Sequence, residues 1–174
     1  MFARISLFLL AATSAFAAPL APRSVTAENQ ARNTGVSAVN SILSGLSTQI
    51  ITQVASLSTF GGNFNIVAST VVSDITSATN QIGTVPVSVT LLGASEQLSI
   101  PLSTILQNVA TLAIDGESDA VDSTSSLITS VLEALNALLG PLLKLYPTIL
   151  SDAERLLGSE SSKIIKGLGL SVGV

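Results

Sequence analysis

Asp115, Glu117 and Asp119 stand at alternate positions in IDGESDAVD, the spacing at which a calcium-binding loop sets its first carboxylate ligands. The match stops there. Position six of such a loop is Ala120 where the sharp turn wants glycine, and position twelve is Ser126 where a bidentate glutamate closes the site. The run reads instead as a solvated acidic loop or first turn, since negative charge suits a helix N-terminus. No metal ligands are assigned. Hydrolysis by paired carboxylates needs two acids converging on one cleft, and the acids here lie on segments that read as surface. The chain has no His and no Cys, which excludes imidazole triads, thiolate nucleophiles and the usual zinc sites. It carries no G-x-S-x-G, P-loop or dinucleotide fingerprint. Gly61-Gly62 is a turn signal, not a phosphate cradle. The expectation is a non-enzymatic protein with no cofactor.

Charge placement excludes further classes. Between Arg32 and Lys144 there is no Lys or Arg, while Asp74, Glu96, Asp115, Glu117, Asp119, Asp122 and Glu133 all fall there. Binding to nucleic acid, or an electrostatic grip on anionic lipid, requires clustered cations; neither is expected. At the N-terminus Arg4 precedes an apolar run and the small-residue box at Ala15, Phe16 and Ala17, the layout of a secretory signal peptide over residues 1–17. Its removal takes Arg4 and leaves 6 cations against 11 acids, a net charge of −5. Residues 18–34 are read as a flexible N-terminus or a short pro-piece ending near Arg23. A secreted or wall-associated chain without cysteine must rely on apolar packing instead of disulfides. No N-x-[ST] sequon occurs. The abundance of Ser and Thr is compatible with O-glycosylation.

The elements between these ends are helical by period. Val36, Val39, Leu43, Leu46, Ile50, Val54 and Leu57 recur every three or four residues, with Ile42 and Ile51 widening the stripe. A second helix follows Gly61-Gly62, with Ile66, Val67, Val71, Ile75, Ala78 and Ile82 on one face. TVPVSVTLLG alternates with period two, and Pro86 makes it an edge strand or extended linker near 84–92. Helical spacing resumes through Leu102, Ile105, Leu106, Val109 and Leu112, with Ser99 as a cap and Pro101 in the first turn. Ser151 and Glu154 have the spacing of a capping box that restarts a helix. The expected fold is all-α, one bundle of four or five amphipathic helices over residues 35–166, with a loose tail over 167–174.

The stretch SSLITSVLEALNALLGPLLKLYPTIL, residues 125–150, is the most apolar of these, with Glu133 and Lys144 as its only formal charges. A bilayer span needs roughly 20 mostly apolar residues. Here Thr129, Ser130, Glu133 and Asn136 intrude, and Gly140-Pro141 calls for a kink or break, because proline lacks the backbone donor. It is read as a core helix of the bundle and not as a transmembrane span. Its leucines serve equally to fill a core or to meet a hydrophobic surface, a lipid or a cell-wall polymer. The candidate contact residues are Leu127, Val131, Leu135, Leu138 and Leu142, with Tyr146 as either an anchor of the following turn or an interfacial ring.

The layout resembles the fungal secreted family of hydrophobic surface-binding protein A, related to cell-wall galactomannoproteins. The likeness rests on VNSILSGLSTQIITQVASLSTFGG, a first helix closing at Phe60 before glycines, and on PTILSDAERLLGSESSKIIKGL, a leucine-spaced helix following Ser-Asp. VPVSVTLLG and Gly140-Pro141 are departures from it. The resemblance implies a secreted or wall-associated protein that adsorbs to hydrophobic surfaces and recruits a secreted hydrolase there; it supplies no catalytic residue. The alternative is a purely structural, O-glycosylated wall or matrix protein without a specific ligand.

Overall fold

Serine and threonine are poor helix formers because their hydroxyls compete for the backbone. In this chain that competition is settled within each helix. Thr48 donates to the Ser44 carbonyl at 3.0 Å, Thr70 to Ile66 at 2.8 Å, Thr76 to Val72 at 2.7 Å and Thr129 to Ser125 at 3.0 Å. Each bond spans one helical turn, so the hydroxyl is satisfied without leaving the helix. The buried serines are satisfied the same way: Ser47 donates to Ser44, Ser99 to Glu96 and Ser103 to Ile100.

A computed structural model describes residues 27–60, 63–85, 94–118, 122–159 and 163. It contains α1 (Ala27–Phe60), α2 (Phe64–Thr84), α3 (Ala94–Ser118), α4 (Asp122–Leu145) and the short α5 (Ile149–Leu156). No strand occurs among the described residues. The fold is an all-α bundle: α1 packs on α2 and α3, α2 on α4, and α3 on α4 and α5. The four long helices therefore form a ring in the order α1, α2, α4, α3, with α5 laid against α3. The stretch read as a signal peptide, the tail over 167–174 and residues 86–92 of the segment read as extended near 84–92 lie outside the described residues; of that segment Thr84 closes α2 and Val85 is its extended C-cap. α1 begins at Ala27, inside the stretch read from sequence as an N-terminal arm.

The stripes converge on one core. Val39, Leu43, Leu46, Ile50 and Val54 of α1 meet Val67, Val71, Ile75 and Ile82 of α2. Leu98, Leu102, Ile105, Leu106, Val109 and Leu112 come from α3 and Val131, Leu135, Leu138 and Leu142 from α4. Two residues assigned to stripes lie outside them. Ile51 and Ile66 are 43% and 66% exposed, the first one position after buried Ile50 and the second one position before buried Val67, a turn of about 100° around the axis.

Helix boundaries differ from the sequence reading in four further places. α3 starts at Ala94, so Ser99 is interior and not a cap, and Pro101 lies in its second turn. α4 continues through Gly140-Pro141 to Leu145. Both prolines withhold a donor from the carbonyl four residues back, and those residues, Gln97 and Ala137, face solvent, where water can serve the orphaned oxygen. α5 starts at Ile149 behind Thr148, and Ser151 donates back to the Thr148 carbonyl at 2.8 Å, so no capping box forms with Glu154. Finally, Asp115 and Glu117 belong to the last turns of α3 and not to a loop or a helix start; Asp119 lies outside the described residues.

Candidate functional site

Five of the six candidate contact residues, Leu127, Val131, Leu135, Leu138 and Leu142, lie on the face of α4 that the ring turns inward, and Tyr146 follows just past its end. Val131, Leu135, Leu138, Leu142 and Tyr146 are buried, and Leu127 is half-buried against the core. At Tyr146 the backbone amide donates to the Leu142 carbonyl at 2.7 Å and the carbonyl accepts from the Ile149 amide at 3.0 Å, while the ring is buried in the core. Burial raises its phenol above the ordinary 10.0. In the closed bundle the buried ones are enclosed in the shared apolar core, so their contact with an outside surface requires the bundle to open. Residues 125–145 form a helix long and apolar enough to cross a membrane by length and composition, with a mean hydropathy of 1.5. In this fold its apolar face packs on α2 and α3.

The ring is not equally tight. Of the four adjacent pairs in the ring, α3 and α4 make the least contact at their seam. At that seam Val109, Leu112 and Ala113 of α3 face Ile128, Val131 and Leu132 of α4 across a crevice of about 10 Å³. Its walls are entirely aliphatic, and the volume is at the lower limit for one water. Ile128 and Leu132 are only partly buried, and Ile114, one turn from Ala110, is half exposed. Sequence reasoning did not single out Ile128 and Leu132. Their signal was present, since each follows a candidate contact residue by one position, but one helix's period does not say where the neighbouring helix ends its cover.

A second concavity lies on the opposite side, between α1 and α2. It is a groove of about 240 Å³ with Ser41, Gly45 and Gln49 on one wall and Asp74, Ser77 and Gln81 on the other, over Leu46 and Ala78. Partial burial raises the Asp74 carboxyl above its ordinary 3.8. No ion pair or hydrogen bond holds it among the described residues. Among these residues no group of three or more His, Cys, Asp or Glu side chains is placed to hold a metal ion.

These features define the class as an all-α bundle with an aliphatic seam and a separate polar groove. The chain matches no family model, no curated protein and no solved structure.

Proposed function

We propose that this chain is a secreted, non-enzymatic protein that binds hydrophobic surfaces or lipid-like ligands through the apolar face of α4, reached by opening the α3–α4 seam. The observation that carries the reading is the aliphatic crevice where those helices touch least, rimmed by the half-covered Ile128 and Leu132.

Energetics set the conditions for opening. A fully buried leucine or valine is worth about 1.5–3 kcal/mol against exposure to water. Turning Val131, Leu135, Leu138 and Leu142 outward would forfeit a sum comparable to the whole stability of a domain, about 5–15 kcal/mol. The closed bundle therefore dominates in water. An apolar surface restores the lost burial, and only there does the open form gain.

The test is adsorption to polystyrene beads and to phosphatidylcholine vesicles. Ile128→Asp and Leu132→Asp place a charge on the rim at positions that remain partly solvated when closed. They should cut adsorption about tenfold or more, the effect of roughly 1.4 kcal/mol or greater, while far-UV circular dichroism stays helical. The chain has no Trp, so Leu132→Trp supplies a single reporter whose emission should shift to the blue on the surface. Wild-type protein that ignores beads and vesicles, or rim variants that adsorb undiminished, would refute the proposal and favour a purely structural wall protein.

A further inference from the structure

The α1–α2 groove shares no residue with the seam, so its role stands or falls separately from the surface-binding reading. Its chemistry is mixed. Asp74 carries the only formal charge on its walls, and no Lys or Arg occurs between Arg32 and Lys144 to neutralise it. Around it stand two hydroxyls, Ser41 and Ser77, and two amides, Gln49 and Gln81. Gln81 Nε2 donates to Ser77 Oγ at 3.3 Å, a long bond that leaves both groups able to take another partner.

Space points the same way. A Cβ added at Gly45 would meet nothing within 4 Å, so no close helix approach demands glycine here, although glycine weakens a helix interior. What its missing side chain leaves is room in the groove. The volume of about 240 Å³ is below the usual range of roughly 300–1,000 Å³ for drug-sized ligands, which suits one small ring.

We propose that this groove binds a neutral polyhydroxylated ring, such as a single sugar residue of a carbohydrate. An ionised carboxylate only accepts hydrogen bonds, whereas hydroxyls and amides both donate and accept. A ring bearing several hydroxyls matches that set at every wall. A purely cationic ligand would answer Asp74 and leave four neutral polar groups unused; an aliphatic one would strand all five. Leu46 and Ala78 on the floor offer apolar contact to the C–H face of the ring. No aromatic side chain lines the groove, so stacking adds nothing and the affinity is weak.

The experiment is an NMR titration of ¹⁵N-labelled full-length protein with methyl glucoside, methyl mannoside and methyl galactoside, with putrescine run in parallel. At least one glycoside should give saturable shifts at the amides of Ser41, Gly45, Gln49, Ser77 and Gln81. Gly45→Leu, which fills the groove from an exposed helix position, should abolish them. Asp74→Asn should weaken binding about tenfold or more, as expected for loss of a charge-assisted hydrogen bond. Absence of saturable shifts with every glycoside, or shifts that persist in Gly45→Leu, overturns the proposal. So does saturation by putrescine alone, which would make the groove a cation site.

Discussion

Ser95 and Asp152, 57 residues apart in the chain, meet through a 2.6 Å hydrogen bond from the serine Oγ to the carboxylate. The bond fastens the first turn of α5 to the first turn of α3. Thr148, just before α5, donates in turn to Ser95 Oγ at 3.0 Å. Three hydroxyl and carboxyl groups from two elements thus form one chain.

That chain sets the acid response of α5. The Ser95 hydrogen bond, supported by Thr148 and by the nearby Arg155, holds the Asp152 carboxyl below its ordinary 3.8 against the opposing effect of burial. A lowered carboxyl pKa contributes stability above the unfolded value and loses it as pH falls through the folded one. Ser95→Ala should therefore destabilise the protein at pH 7, and the deficit should shrink in urea melts well below pH 3.8. Amide exchange in α5 should quicken more than in α1. An equal deficit at both pH values would show that the carboxylate plays no part.

Asp74 should respond with the opposite sign. Its carboxyl is raised above 3.8 by burial, so the folded state resists its ionisation, and stability falls as pH rises through the folded value. Asp74→Asn should stabilise the bundle at pH 7 by a small margin that vanishes below pH 3.8. Stability curves against pH for both proteins check this; a variant less stable than wild type at neutral pH would contradict it.

Gly116 leaves room for the side-chain ends of Phe64 and Ile128. A Cβ there would lie 2.6 Å from Phe64 Cζ, 2.8 Å from Phe64 Cε2 and 2.9 Å from Ile128 Cδ1. Gly116→Ala should cost about 1–3 kcal/mol through overpacking, despite alanine's helix advantage. Phe64→Leu in the same chain should recover part of the loss. Gly83→Ala, in the last turn of α2 where the added atom meets nothing, should instead be neutral or stabilise by less than the roughly 0.5–1 kcal/mol of a mid-helix replacement. Urea denaturation of the three variants separates the cases.

Leu138 is fully buried in the core. Leu138→Ala should destabilise by about 2–5 kcal/mol, read by thermal unfolding, and Leu138→Asp should prevent folding. A folded Leu138→Asp protein would mean that α4 does not pack as described. Surface binding is for this reason probed at the rim and not at Leu138.

Much of the bundle was legible in the residues themselves. The stripes through Val39–Val54, Val67–Ile82, Leu102–Leu112 and Val131–Leu142 announced four amphipathic helices, because a 3.6-residue period leaves a mark that tertiary context does not alter. The lack of His and Cys bounded the chemistry equally directly. Boundaries were less legible. Pro101, Pro141 and Ser151 carry the local marks of a start, a break and a cap, yet the helices run past the first two and begin before the third. Local preferences of about 1–3 kcal/mol yield where a buried stripe continues on both sides and the orphaned carbonyl meets water.

The sequence by itself determined that this chain makes apolar-faced helices without nucleophilic or metal-binding chemistry based on His or Cys. Only the tertiary structure decided which faces meet. It turned the leucines of α4 inward, left the aliphatic crevice at the α3–α4 seam, opened the groove over Gly45 and joined Ser95 to Asp152. Period sets the direction of a side chain about its own helix axis, whereas cover, clearance and hydrogen bonding depend on where a second helix, distant in the chain, comes to lie.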